Sequence, residues 1–200
     1  MCIRDSLHLT GNSRLPHGSL MVSGNLQFRD DYPADISLRM DQLDPDALWH
    51  AYLGSHLTGP SAVDGALDFH GPLLQPARWT MNGDLTAVSL DVEHVKISNR
   101  DPIRLVLANQ SMNLQQLHMV GEGTDLTAHG AVQLSGNRVI DLATEGHVDL
   151  KLLSGFAPNL VASGLVTVKM TVGGTLADPL PQGRLELSGS SCLLYTSRCV

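Results

Sequence analysis

The sequence is short of rings, of positive charge and of thiols. Aromatic residues make up 4% of the 200, so the apolar surface is mostly Leu, Val, Ala and Met within a hydrophobic content of 42%. Lysine occurs only at Lys96, Lys151 and Lys169, and the net charge is −7. No basic stripe exists to neutralise phosphates, which argues against a nucleic-acid partner. No apolar run reaches the roughly 18–20 residues of a membrane-spanning helix, and no charged-then-apolar leader with a cleavage site is present. The cysteines, Cys2, Cys192 and Cys199, lie in the terminal strings MCIRDS and CLLYTSRCV. Those strings resemble translated sequencing-adapter read-through, so residues 1–6 and 191–200 are set apart from the fold reasoning. The body between them has no thiol for catalysis, disulfides or thiolate metal sites.

What is present is alternation. In Gly164–Leu187, Val166, Val168, Met170 and Val172 share one side while Thr167, Lys169 and Thr171 share the other. Successive side chains of a strand point to opposite faces, so this stretch is a half-buried strand. Gly173-Gly174 ends it, Asp178-Pro179 turns the chain, and Gly183 opens a second run through Leu185 and Leu187. The phrase occurs earlier at a constant offset of 103 residues: Val63, Leu67, Phe69, Gly71, Leu73 and Pro76 answer Val166, Met170, Val172, Gly174, Leu176 and Pro179. Leu57 and Leu160 keep the same offset. One supersecondary unit used twice, about 36–85 and 140–187, explains the match.

Taken in order, Leu7 to Phe28 reads as short strands punctuated by Pro16, Gly18 and Gly24. Asp30 to Pro33 is a turn, and Ala34, Ile36, Leu38 and Met40 mark a strand. Leu43 to Leu53 breaks the pattern: Asp44 caps a helix, Pro45 takes its first position, and Leu48, Tyr52 and Leu53 share a face. The offset lays this on Leu150–Phe156, where Leu150, Leu153 and Phe156 suit a second short helix. From Trp79 to Leu152 almost everything reads as strand. The run Leu85, Val88, Leu90, Val92, then Val95 and Ile97, changes phase once, as a bulge would make it, and Gly146, Val148, Leu150 and Leu152 close the series. Turns at Asn99–Pro102, Gly121–Gly123 and Gly136-Asn137 recur at meander spacing, which predicts antiparallel neighbours.

Such strand faces need cover. Leaving Val166, Val168, Met170 and Val172 in water forgoes about 1.5–3 kcal/mol per side chain, while whole domains are stable by only about 5–15 kcal/mol. A second sheet, closure into a barrel, or a curved sheet with an apolar occupant would each answer, and the residues do not choose among them.

The ordered series GEGTDLTAHGAVQL (Gly121–Leu134), IDL (Ile140–Leu142), GHVDL (Gly146–Leu150), ASGLV (Ala162–Val166) and GTLADP…GRL (Gly174–Leu185) resembles the TamB/AsmA-like family, translocation and assembly modules anchored in the inner membrane of diderm bacteria. The resemblance covers about residues 15–190. It implies an all-β fold, an elongated antiparallel sheet curled into a U-shaped groove with one or two short helices. It also implies a periplasmic protein that conducts phospholipid acyl chains towards the outer membrane, with an outer-membrane β-barrel as partner. No catalytic residue, cofactor or metal comes with it. The groove lining expected from this reading is Leu67, Phe69, Leu126, Val132, Leu134, Val166, Val168, Met170, Val172, Leu185 and Leu187; the plain alternative makes them ordinary core of a closed β domain.

Other constellations have plainer readings. The nine histidines are scattered, without HxH or HExxH spacing. Asp44-Pro45-Asp46 is explained by helix capping, Asp30-Asp31 by a turn, and Gly121-Glu122-Gly123 has strands on both sides and no helix to receive a phosphate. No serine sits in a G-x-S-x-G setting. Two rivals to a lipid conduit remain: an adhesin-like β-solenoid without cargo, which calls for a tighter repeat, and a β-helical glycan-active enzyme, which calls for clustered carboxylates and aromatic platforms. A membrane barrel lacks its aromatic girdles.

Overall fold

The computed structural model describes residues 5–15, 18–53, 57, 59–92, 94–155 and 160–194. Along the chain run β1 (Ser6–Leu15), β2 (Gly18–Gln27), β3 (Pro33–Leu43), α1 (Asp46–Leu53), β4 (Ala62–Pro72), a 3-10 turn (Pro76–Arg78), β5 (Thr80–Val92), β6 (Val95–Asn99), β7 (Ile103–Ala108), β8 (Ser111–Gly121), β9 (Thr124–Gln133), β10 (Ile140–Asp149), a 3-10 helix (Leu150–Gly155), β11 (Leu160–Gly174) and β12 (Pro179–Leu194). The strands form one 12-stranded antiparallel sheet in sequence order. Strands β6 and β7 lie end to end between β5 and β8: β6 pairs with residues 89–92 of β5, and β7 with residues 81–85. Among the described residues β1 and β12 do not pair, so the sheet stays open. The fold is all-β, one elongated antiparallel sheet with a single α-helix among the described residues.

Two expectations from the sequence are corrected here. Leu7 to Phe28 is two ten-residue strands and not several short ones, because Gly24 lies inside β2 opposite Leu9 and Ile36 instead of breaking it. Leu150 and Leu152 leave the strand series for the 3-10 helix, where the short helix expected from Leu150 onwards does form, and are buried there, each 5% exposed. Strand β12 continues through Ser191–Leu194, paired with residues 160–163 of β11, so part of the terminal string set apart above lies in the sheet.

Bulges crease this sheet along a line that crosses the strands. Register slips at Gln42 of β3, between Met40 and Leu43, at Thr86 of β5, and at Gln115 of β8. The break between β6 and β7 falls on the same line. Gln42 takes φ 51, and the Asp64 carboxylate accepts both its backbone N–H (2.6 Å) and its side-chain N–H (2.7 Å). Asn99 ties the Thr86 slip to the β6–β7 break: its Oδ1 accepts the Val88 N–H at 2.6 Å, and its Nδ2 donates to the Thr86 and Asp101 carbonyls at 3.2 and 2.9 Å. The run from Leu85 to Ile97 calls for a bulge, and the slip at Thr86 puts one between Leu85 and Val88. Removing the clamp leaves several backbone groups without partners, so Asn99→Ala is expected to lower stability by about 2–3 kcal/mol in urea denaturation.

The core sits on the crease. Val88, Ile103 and Met119 are only 8%, 6% and 8% exposed and pack with Val63, Leu85, Leu90, Ile97, Leu114 and Leu117. With no second layer over them among the described residues, burial this deep needs the apolar face to fold towards itself, which bulges accomplish. The helical connectors lie at one end of the strands. Asp44 caps α1, its carboxylate accepting the Asp46 N–H at 2.9 Å, and Asp149 does the same for Lys151 at the 3-10 helix. Trp49 of α1 and Leu152 of the 3-10 helix both pack on Val92 and Val95. Leu152 follows β10, three strand spacings or about 14 Å from β6 in a flat sheet, so its contact there also requires curling. The helical face read at Leu48, Tyr52 and Leu53, with Leu153 and Phe156, falls on side chains outside the described residues.

Candidate functional site

Cross-strand register builds the site. Directly opposed residues of antiparallel strands share a face, and the pairings connect into a row: Gly11, Val22, Leu38, Leu67, Gly83, Leu105, Leu114, Gly130, Leu142, Val172 and Pro181. It crosses every column from β1 to β12, ten spacings, or about 48 Å. A parallel row carries Leu9, Gly24, Ile36, Phe69, Met81, Leu107, Met112, Val132 and Ile140. The long axis of the trough therefore runs across the strands.

Glycine has a repeated place in these rows. Gly24 lies between Leu9 and Ile36, Gly65 between Met40 and Leu85, Gly83 between Leu67 and Leu105, Gly130 between Leu114 and Leu142, and Gly146 between Leu126 and Val168. A Cβ on Gly130 would stand 2.1 Å from the Asp141 carbonyl oxygen, and one on Gly146 2.1 Å from that of Asp125; both have φ +144. The bare backbone lets strands approach closely there, and the large neighbours close over the gap.

Most of the expected lining falls on this face. Leu67, Phe69, Leu126, Val132, Val168, Met170 and Val172 are half-buried, and Val166 is buried beside Leu150. Leu134 is a correction: β9 ends at Gln133, and Leu134 lies in the following loop, 46% exposed. Leu185 and Leu187 are on the face but at its outer edge, 60% and 63% exposed. The same face also carries Leu38, Leu105, Leu114 and Leu142, whose alternation was visible but whose alignment across strands was not. The expected lining missed Trp49, which reaches the face from α1.

The open sheet as a whole leaves much surface in water. The whole chain exposes 13076 Å², whereas a compact 21.5 kDa monomer exposes about 9,200 Å². Soluble monomers seldom leave contiguous apolar patches beyond a few hundred Å² unless something binds there. The polar face is different in kind. Its hollows are shallow: one of about 400 Å³ is lined by Thr127, His129, Glu145, Lys169 and Gln182, with Lys169 and Glu145 paired across it at 3.2 Å. His118 lies between Asp125 (2.9 Å) and Asp101 (3.6 Å), tying β8 to β9 and to the β6–β7 bend. Among the described residues no three His, Cys, Asp or Glu side chains are grouped to hold a metal ion, and no helix is long and apolar enough to cross a membrane. Compared with protein-family models, curated proteins and solved structures, the chain finds no match.

Proposed function

We propose that the chain is a segment of a lipid conduit: acyl chains lie in the trough and move along it, across the strands. The observation that carries this reading is the apolar row running unbroken through every column of an open sheet. Apolar contact is non-directional, so a row of Leu, Val, Met and Gly offers similar free energy at successive positions and favours sliding over capture. The open slot leaves a polar head group in water while the tail is sheltered. At about 48 Å the floor is longer than one membrane leaflet's hydrocarbon layer, about 15 Å, so a tail can travel along it. The resemblance noted in the sequence supplies the setting: phospholipid cargo, a periplasmic location, inner-membrane anchoring through a segment outside this chain, and an outer-membrane β-barrel partner. The proposal includes no enzymatic step.

A photoreactive residue tests it. Placed at Val168, on the trough face, it is expected to form phospholipid adducts in cells; placed at Thr167, on the opposite face, it is not. Equal adducts at both positions, or none at Val168, would overturn the reading in favour of a structural repeat without cargo.

A further inference from the structure

We propose that one lip of the trough is a membrane-docking edge, whose turns rest in the head-group layer of an anionic phospholipid bilayer. Antiparallel neighbours put their connections alternately at two lips. At one lie α1, the 3-10 helix and the turns after β5 and β8; at the other lie the turns after β2, β4, β7 and β9. Leave aside the two outermost strands at each side of the sheet and the turns that join them, where exposure follows from where the sheet stops. Every large apolar side chain that then stands exposed among the described residues lies at the second lip: Phe28, Tyr32, Leu73, Leu74, Leu134 and Val139. Backbone bonds hold neighbouring turns together there. The Leu73 N–H donates to the Tyr32 carbonyl at 3.0 Å, and the Leu134 N–H to that of Gln110 at 2.7 Å. From the β2–β3 turn to the β9–β10 turn the lip covers six strand spacings, about 29 Å. The trough's apolar face leads into it, since Ala34 opposes Gly71 and the Trp79 ring lies against Gly71.

Charge and ring content select a bilayer as the occupant. The turns of this lip carry Arg29, Arg78 and Arg138 against Asp30 and Asp31, in a chain whose net charge is −7. Among the described residues the connections of the opposite lip carry Asp44, Asp46 and Glu122 against Lys151, a balance that anionic lipid repels. Four of the chain's eight rings, those of Phe28, Tyr32, Phe69 and Trp79, gather at or beside this lip, the last two in edge-to-face contact at 6.3 Å. Tyrosine and tryptophan rings sit well at head-group depth, and arginines there keep their charge in water while their stems lie against acyl chains. The form of the lip agrees. Apolar tips on separate turns suit a fluid surface that moulds around each of them, whereas a protein partner must match them all in shape. The inference goes beyond the conduit reading and does not need it: this lip can rest on a bilayer whether or not tails move along the trough.

The test uses the 200-residue chain with Cys2, Cys192 and Cys199 replaced by serine, and vesicles of phosphatidylethanolamine and phosphatidylglycerol. An environment-sensitive dye on Leu74→Cys, a position 66% exposed, is expected to brighten and shift to the blue when vesicles are added, and to be quenched by nitroxide-labelled lipid. The same dye on Glu122→Cys, at the opposite lip, is expected not to respond. In vesicle flotation, Leu73→Asp and Val139→Asp are each expected to weaken binding about tenfold. Both side chains are at least 40% exposed and belong to none of the buried clusters, so circular dichroism is expected to stay that of the parent chain. Sodium chloride at about 0.5 M is expected to leave much of the binding in place, because apolar insertion is not screened as charge is. No flotation of the parent chain, an equal dye response at both lips, or aspartate variants that float like the parent would overturn the proposal. So would a Leu74→Cys dye signal that rises with protein concentration and not with lipid, which would make a second copy the occupant.

Discussion

Met170→Glu is expected to cut phospholipid transfer between vesicles at least tenfold while the sheet stays folded. Met170 points into the trough, half-buried, and belongs to none of the three buried clusters. Its replacement therefore costs the empty sheet about 1 kcal/mol of lost apolar contact. A tail sliding past position 170 would instead strip water from a carboxylate with no cation in reach on that face: its cross-strand neighbours are Thr144 and Gly183. Burying an unpaired charge costs several kcal/mol, and each 1.4 kcal/mol on the barrier is a factor of ten in rate. Thr171→Glu, one residue along and on the other face, is the control and should transfer at the wild-type rate. Full activity in Met170→Glu, with circular dichroism unchanged, would show that cargo does not use this face.

Gly130→Val is expected to produce one of the largest losses of stability of any single change in the sheet, about 2–6 kcal/mol in urea denaturation. Its φ of +144 is a region that residues with a Cβ seldom enter, and its added carbon would stand 2.1 Å from the Asp141 carbonyl oxygen and 2.7 Å from the Leu142 Cα. Backbone strain of this kind costs about 1–3 kcal/mol, and forcing packed neighbours apart adds about 1–3 kcal/mol more. The obstacle is the backbone of β10, which cannot rotate away as a side chain could. Gly136→Val supplies the contrast: its φ is +59, yet nothing lies within 4 Å of its added Cβ, so only the strain remains. Equal midpoints for the two variants would mean that close approach of β9 and β10 is not what Gly130 provides.

The period-two alternation made individual strands legible because each has one wet and one greasy face. It also exposed the β5 bulge, since Leu85 and Val88 cannot share a face without an extra residue between them. Alternation says nothing about where strands stop, however. Leu134 keeps the phase of Leu126 and Val132 yet lies beyond the last β9 pair, because the chain must turn there. Nor does it report alignment between strands. Leu38, Leu105, Leu114 and Leu142 come together only through registers fixed by slips at Gln42, Thr86 and Gln115, and each slip depends on local ties such as Asp64 to Gln42. Glycine misled in one place: at Gly24 it allows close approach within a strand, where the sequence suggested a break.

The sheet is laid down in chain order, and this governs how it can be made. Apart from the place where two short strands share one column, each strand finds its partners immediately before and after it in the polypeptide, so ordering one hairpin creates the template for the next. Loop closures stay short and no early segment waits for a late one, a topology associated with rapid assembly. A chain emerging from its N-terminus therefore solidifies progressively, each new hairpin zipping onto the one before it.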